Sequence, residues 1–333
     1  IARLARSSKK VKAIGEIDLN NEMFYGQKVS AAKGHFRIDK GMVSLDNMYF
    51  AAGNSRIDLS GRIMPGKESN VSVFSTGAQL SDLYFLALAL PQDFRDITGT
   101  ASIDAKISGI FPKKFDKNFI GGIASLEGRL TVNIKNAVAA KQQITSAEAD
   151  VLIKDGKIVI RKASVRTKNS YAAARGSVDG KGEGNIELSG NINLADFSPF
   201  TQKYAKILGV ALVSASATGS LRDPVYSLDF SVSKPSYNEI RVDALSGKLL
   251  WSAGVLKTES SVKVELMGDS YNISGRADLS KNEPQISARV YTRRGGLASA
   301  ISIAQMAYLE LIERKGISGS ASKVVISPQK LAL

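Results

Sequence analysis

Few residues of this 333-residue chain belong to the types that carry catalysis or bind metals. The chain has one His and no Cys, which excludes thiolate chemistry, iron–sulfur clusters and zinc fingers and leaves at most one imidazole for a catalytic triad. His35 lies between Gly34 and Phe36 in an alternating segment, where we expect a surface position on a strand. We therefore expect no catalytic residue, no metal site and no cofactor, and a protein that is not an enzyme.

One glycine-rich run, Gly180-Lys181-Gly182-Glu183-Gly184, superficially resembles a phosphate-binding loop. Such a loop needs a four-residue spacer before its Gly-Lys pair and a Ser or Thr after it to bind Mg²⁺. Because this run has neither, a turn between two strands is the better interpretation.

The net charge of the chain is +14, from 45 Lys+Arg and 31 Asp+Glu. Nucleic acid, the phosphates of a lipid surface and simple solubility are three interpretations of it. The basic residues are spread along the chain, with only short clusters such as Lys113-Lys114 and Arg293-Arg294. No platform of aromatic and basic residues for stacking bases is evident, so lipid phosphate is a better partner than nucleic acid, and we expect no nucleic-acid binding.

The elements that must position these residues are strands in which apolar and polar residues alternate. Successive strand side chains point to opposite faces, so this pattern predicts an antiparallel sheet with one apolar and one solvated face. Carboxylates at polar positions belong to the solvated face, and they include Asp18, Asp58, Asp104, Asp229 and Asp278. The residues that we expect to line the apolar face are Ile57, Leu59, Ile103, Ile107, Ile186, Leu188, Leu228, Phe230, Val262 and Val264.

A degenerate repeat organises the chain into a single extended array. Paired glycines at 41 and 61, 156 and 176, and 254 and 275 are 20, 20 and 21 residues apart, with similar alternating segments between them. The pattern predicts roughly three β-rich units, 1–121, 122–235 and 236–333. Short helices are predicted from Leu80 to before Pro91, from Leu194 to Leu212, and from Leu297 to Leu311.

Two segments carry a resemblance to a known family. In the first, residues 213–224 end a strand at Gly219 and place Pro224 before the alternating residues that follow; residues 97–109 have a similar pattern. The strand ends at Gly61, Gly176 and Gly275 also fit. Over most of its length the chain resembles the TamB/AsmA-like family, as an internal segment of a longer protein.

The resemblance implies a mainly β fold, an elongated antiparallel sheet curled into a half-pipe, or β-taco groove, with an apolar inside and a few short helices. It implies a periplasmic protein of diderm bacteria, anchored to the inner membrane through a segment absent from this sequence. Its implied function is to carry phospholipids between the inner and outer membranes and to assist outer-membrane protein assembly. The implied partners are phospholipids and an outer-membrane barrel of the Omp85 class, with membrane contact through regions outside this segment.

The residue pattern by itself leaves alternatives open. An apolar sheet face must be covered by a second sheet, by helices or by a ligand, and three short helices are too few to cover so many strands. Lipid acyl chains would cover the remainder in a conduit. A β-sandwich core, or a structural or adhesive β-rich repeat with a closed dry core, would cover the face with protein instead.

Overall fold

A computed structural model describes residues 12–24, 27–83, 97–112, 119–139, 142–197, 206–237, 240–266, 268–280, 285–294, 296 and 325–326. The described part contains 19 strands and three short helices, which confirms the predicted mainly β, antiparallel class with few helices. The chain divides into two compact units, Ile1–Ile186 and Glu187–Leu333. The three-unit array inferred from the glycine repeat stays a prediction.

Unit 1 is an antiparallel meander in which β1 to β10 each pair with the next strand along the chain. Its strands are β1 (Lys12–Phe24), β2 (Gln27–Asp39), β3 (Met42–Ala52), β4 (Ser55–Ile63), β5 (Glu68–Gln79), β6 (Thr98–Ile110), β7 (Glu127–Ala139), β8 (Gln142–Lys154), β9 (Lys157–Arg166) and β10 (Tyr171–Asp179). The next strand, β11 (Glu183–Asn193), contains the division between the units.

Unit 2 is built in the same way, with two local exceptions. Its strands are β12 (Ile207–Ser220), β13 (Val225–Tyr237), β14 (Ile240–Arg241), β15 (Ala244–Ser252), β16 (Val255–Leu266), β17 (Asp269–Asp278), β18 (Gln285–Arg294) and β19 (Val325–Ile326). β13 pairs with both the two-residue β14 and the longer β15, and β19 joins β18 in parallel. The other pairings are antiparallel.

The first glycine of each repeated pair lies in a two-residue hairpin turn. In Lys40-Gly41, Asp155-Gly156 and Ala253-Gly254 both residues have positive φ, between 47° and 86°. Two consecutive positive φ angles define a type I′ turn, whose twist matches that of the strands it joins. The repeat therefore specifies the same hairpin three times.

The second glycine of the pair allows the neighbouring strand to approach closely. A Cβ atom at Gly61 would lie 2.2 Å from the carbonyl oxygen of Asn70, and one at Gly176 would lie 2.2 Å from that of Asn185. Both residues also have positive φ, 134° and 152°. Only glycine satisfies both conditions, so the spacing of about 20 residues links a hairpin to a close strand contact.

The predicted helices are only partly correct. Leu80–Leu83 and Leu194–Phe197 are 3-10 helices, but the predicted helix from Leu194 to Leu212 is wrong because β12 begins at Ile207. β-branched residues in this stretch, among them Ile207 and Val210, favour a strand. An unpredicted helix, α1 (Phe119–Ala124), lies between β6 and β7. The rest of the first predicted helix and all of the Leu297–Leu311 helix fall outside the described residues.

Candidate functional site

One face of unit 1 carries apolar side chains across five neighbouring strands. Residues directly opposite one another in an antiparallel pair have their side chains on the same face. One row of opposed residues runs from β4 to β8 through Leu59, Val73, Ala105, Leu130 and Val151. The row beside it consists of Gly61, Val71, Ile107, Gly128 and Ile153. Neither row contains a polar or charged side chain.

The structure brings together the four residues predicted on β4 and β6. Ile57 and Leu59 alternate along β4 on this face, and Ile103 and Ile107 do so along β6. Ile57 is only 6% exposed and forms a small cluster with Ala78, whereas the other three predicted residues are half-buried. Of the four, Ile57 alone belongs to a dry interior.

Ile186 and Leu188, the residues predicted on β11, differ in burial. Ile186 is half-buried and lies against Gly176, where a Cβ atom would be 2.7 Å from the Cα of Ile186. Leu188 belongs to unit 2 and is 39% exposed.

The remaining predicted residues lie on one face of unit 2. Leu228 and Phe230 on β13 are opposite Leu249 and Gly247 on β15. Val264 on β16 is opposite Leu245 on β15, which in turn is opposite Val232 on β13. Val262 precedes Val264 by two residues and therefore has the same orientation. Val264 packs with Tyr271 in a buried cluster that also includes Leu266 and Val290.

Burial on the two apolar faces is shallow compared with that in a two-layer core. No Leu, Ile, Val or Phe in the described residues is fully buried; the lowest exposure among them is 4%, at Leu126. Within each unit, strands contact mainly the strands beside them along the sheet. Two packed sheets would interdigitate large side chains and remove them from solvent. Aliphatic side chains on these faces such as Leu59, Ile103 and Ile107 are instead half-buried and keep part of their surface accessible.

The opposite face of unit 1 carries cross-strand ion pairs. Arg129 binds Asp150 through two hydrogen bonds of 2.8 and 2.9 Å, and Arg161 lies 3.9 Å from the same carboxylate. The Arg129 hydrogen bond lowers the pKa of Asp150. Lys162 lies 2.6 Å from Glu148 and, by its hydrogen bond, lowers the pKa of that carboxyl group. Asp150 is half-buried, whereas the side chains of its arginine partners and of the Lys162–Glu148 pair are exposed, which fits the predicted solvated face.

Four of the five predicted polar-face carboxylates also form ion pairs within the described residues, all except Asp104. Asp58 pairs with Arg56, which stacks 4.2 Å from the centre of the Tyr49 ring. Asp18 with Lys33 and Asp229 with Lys248 are similar exposed pairs, and the half-buried Asp278 pairs with Arg276. Surface pairs of this kind contribute little to stability but keep the charge on one side of the sheet.

The residues that the sequence offered for catalysis or phosphate binding lie in strands and turns of unit 1. No three His, Cys, Asp or Glu residues in the described ranges lie close enough to hold a metal ion. His35 is exposed on β2, opposite Glu16 on β1 and Asp46 on β3. The glycine-rich run lies in the hairpin between β10 and β11, as predicted, with the Asp179 carboxylate accepting the N–H groups of Lys181 and Glu183.

One candidate feature was missed from the sequence. Tyr226 on β13 lies opposite Trp251 on β15, at the turn end of the apolar face of unit 2. The alternating pattern places Tyr226 on the apolar face. However, the sequence does not indicate that β13 pairs with β15, because the short strand β14 lies between them in the chain.

Comparisons with known proteins do not assign the chain to a family. No protein-family model, curated protein or solved structure matches the chain. Among the helices of the described residues, none is long and apolar enough to traverse a bilayer.

Proposed function

We propose that the chain is part of a TamB/AsmA-like protein of the diderm envelope, and that its apolar sheet face carries phospholipid acyl chains between the inner and outer membranes. The protein is non-enzymatic, lies in the periplasm and is anchored to the inner membrane through a segment outside this sequence. It assists outer-membrane protein assembly with a barrel of the Omp85 class as partner.

The observation that carries this proposal is the uncharged face of unit 1, where large aliphatic side chains stay half-buried. Ile103 and Ile107 on β6 and Leu130 on the adjacent β7 are each half-buried, so part of their aliphatic surface stays accessible. Each CH₂ group that moves from water onto such a surface gains roughly 0.8 kcal/mol. An acyl chain is therefore a suitable cover, and it needs no specific polar contact.

The uniform chemistry of the face favours movement of the bound lipid. The two rows through Leu59 and Ile107 contain only aliphatic residues and glycine. An acyl chain that slides from one strand to the next exchanges similar contacts, so its free energy changes little between positions. The charged side chains on the other face do not interrupt the path.

A structural or adhesive β-rich repeat with a closed, dry core is the second candidate. The cluster around Tyr271 favours it, because Tyr271 is 0% exposed and packs with Val264, Leu266 and Val290. In that case protein side chains, and not lipid, would cover the apolar faces throughout.

Site-specific photocrosslinking distinguishes the two candidates. A photoreactive amino acid replaces Ile103 on the apolar face or, as a matched control, Asp104, which follows it on the opposite face of β6. We expect phospholipid adducts from position 103 and few or none from position 104. Only intramolecular adducts from position 103 would favour the closed repeat.

Leu188 provides a second position for the same measurement in unit 2. Because Leu188 is 39% exposed, a photoreactive side chain there reaches outward from the sheet. Lipid adducts at both 103 and 188 would support carriage in both units, whereas adducts at 103 alone would restrict it to unit 1.

A further inference from the structure

One turn edge of unit 2 exposes apolar side chains. Leu221 at the β12–β13 turn is 43% exposed, Leu279 just after β17 is 41% exposed, and Tyr226 at the start of β13 is 48% exposed. The amide of Leu279 donates to the carbonyl of Gly254 at 2.8 Å, which holds Leu279 beside the β15–β16 turn. We call this group of turns the bare edge.

The equivalent edge of unit 1 is covered. There the amide of Gly180 donates to the carbonyl of Gly156 at 3.1 Å, so Gly180 occupies the place that Leu279 has in unit 2. A Cβ atom at Gly180 would lie 3.6 Å from the Cβ of Ala124 in α1. In unit 2 the β12–β13 connection is the short turn 221–224, so Leu279 has no counterpart of α1 in the described residues.

Aromatic residues lie directly behind the bare edge. Tyr226 and Trp251 face each other across β13 and β15 on the apolar face, and Leu256 is the next residue in their row. Tyr and Trp combine an apolar ring with a polar group, and both are enriched where proteins meet the interfacial region of a bilayer.

Two basic side chains oppose each other on the polar face behind the same edge. Lys257 on β16 lies directly opposite Arg276 on β17, and like charges in this arrangement destabilise a sheet. Arg276 reaches Asp278 at 3.7 Å, whereas Lys257 makes no ion pair within the described part of the chain. An anionic surface against this edge would relieve the repulsion.

We propose that the bare edge of unit 2 docks on the surface of an anionic phospholipid bilayer. Leu221 and Leu279 enter the boundary between headgroups and acyl chains, and Tyr226 and Trp251 lie at headgroup level. Lys257 and Arg276 pair with lipid phosphates. The family resemblance implies membrane contact only outside this segment, so this contact goes beyond the proposed function and does not require it.

Vesicle sedimentation tests the docking. The full chain is mixed with vesicles of phosphatidylethanolamine and phosphatidylglycerol, or of phosphatidylcholine alone. We expect binding to the anionic vesicles, and a loss of about tenfold or more in the double variant Leu221→Asp, Leu279→Asp, because two apolar side chains no longer enter the interface and two negative charges are added. Leu212→Asp is the matched control, since Leu212 is 59% exposed on β12 in the same unit, outside the edge.

A second readout uses the single Trp of the chain. We expect the fluorescence of Trp251 to shift to the blue when anionic vesicles are added to the wild type and to Leu212→Asp, and to stay unchanged in the double variant. Failure of the wild type to bind anionic vesicles would overturn the docking proposal, as would equal binding by the double variant. The proposed carriage of acyl chains is tested by a different experiment, the formation of lipid adducts at position 103 in unit 1.

Discussion

Ile57 in unit 1 and Tyr271 in unit 2 each lie four residues before the second glycine of a repeated pair, Gly61 and Gly275. Both side chains are buried on the apolar face of their unit, but the clusters of buried residues around them differ in size. Ile57 forms a cluster with Ala78 alone, and the half-buried Leu59 and Val73 pack around it. Tyr271 is the centre of a larger cluster and is fully buried.

The two clusters differ in a polar group, because Tyr271 carries a hydroxyl that Ile57 lacks. The Tyr271 hydroxyl shares its hydrogen between Asp269 Oδ2 at 3.0 Å and the Gly296 carbonyl oxygen at 3.1 Å. The Gly296 amide donates to the same Asp269 oxygen at 3.0 Å. Tyr271 thus fastens the chain after β18 to the start of β17, which Ile57 cannot do in unit 1.

Replacing Tyr271 gives the largest expected effect. Tyr271→Ala should lower the free energy of unfolding by about 3–5 kcal/mol, because it leaves a cavity in the cluster and removes the hydroxyl contact. Chemical denaturation of the full chain measures this change. Tyr226→Ala is the control: Tyr226 is 48% exposed, so its removal should cost less than about 1 kcal/mol. Equal losses in the two variants would mean that the Tyr271 cluster does not stabilise unit 2.

Replacing Gly61 tests the feature that the two units share. Gly61→Ala should cost about 2–3 kcal/mol, since the new Cβ meets the Asn70 carbonyl oxygen and the backbone is held at a φ that Ala rarely adopts. Gly77→Ala is a matched control, because Gly77 also has positive φ, 64°, but no atom lies within 4 Å of its ideal Cβ. We expect about 1 kcal/mol there. A Gly61 variant as stable as the Gly77 variant would contradict the close strand contact.

Removing only the Tyr271 hydroxyl separates packing from hydrogen bonding in the unit 2 core. Tyr271→Phe should keep the cluster filled and cost about 1–2 kcal/mol, because it removes one hydrogen-bond donor from Asp269 and Gly296. Hydrogen exchange at the Gly296 amide, compared with that at buried β17 amides, should show faster opening of this contact alone. Unchanged exchange at Gly296 would show that the hydroxyl does not fasten the chain after β18.

The polar face should give the smallest effect. The pKa of Asp150 is lowered by the Arg129 hydrogen bonds, so this pair stabilises the fold above the unfolded-state pKa of about 4. That contribution is lost as the pH falls through the lower folded pKa. We expect Arg129→Met to raise the pKa of Asp150 in a carboxyl NMR titration. Glu148 is the internal control, because its pKa is lowered mainly by Lys162; an unchanged Asp150 titration would contradict the assignment.

Local patterns in the sequence predict much of this fold. Alternation indicates the strands and places Ile57, Leu59, Ile103 and Ile107 on one face, because the side-chain orientation has a period of two. The glycine repeat marks the type I′ hairpins, since a short turn depends on its own two residues. These features need no information from distant parts of the chain.

Features that depend on pairing between distant residues could not be predicted. The full burial of Tyr271 follows from its register with Val264 and from the contact with Gly296. The predicted helix to Leu212 failed because Ile207 to Leu212 is apolar on both faces, a pattern that a buried helix and a strand share. The candidate face is thus visible in the sequence, but its depth of burial is not.

The most direct test of acyl-chain carriage is mass spectrometry of an organic extract from the full chain, purified without detergent. We expect phospholipid bound to the wild type, and much less bound to Ile107→Asp, which places a charge on the apolar face of unit 1. Asp104→Asn, on the opposite face of the same strand, should retain the wild-type amount of lipid. A lipid-free extract from correctly folded wild-type protein would contradict the central claim and favour the closed, dry repeat.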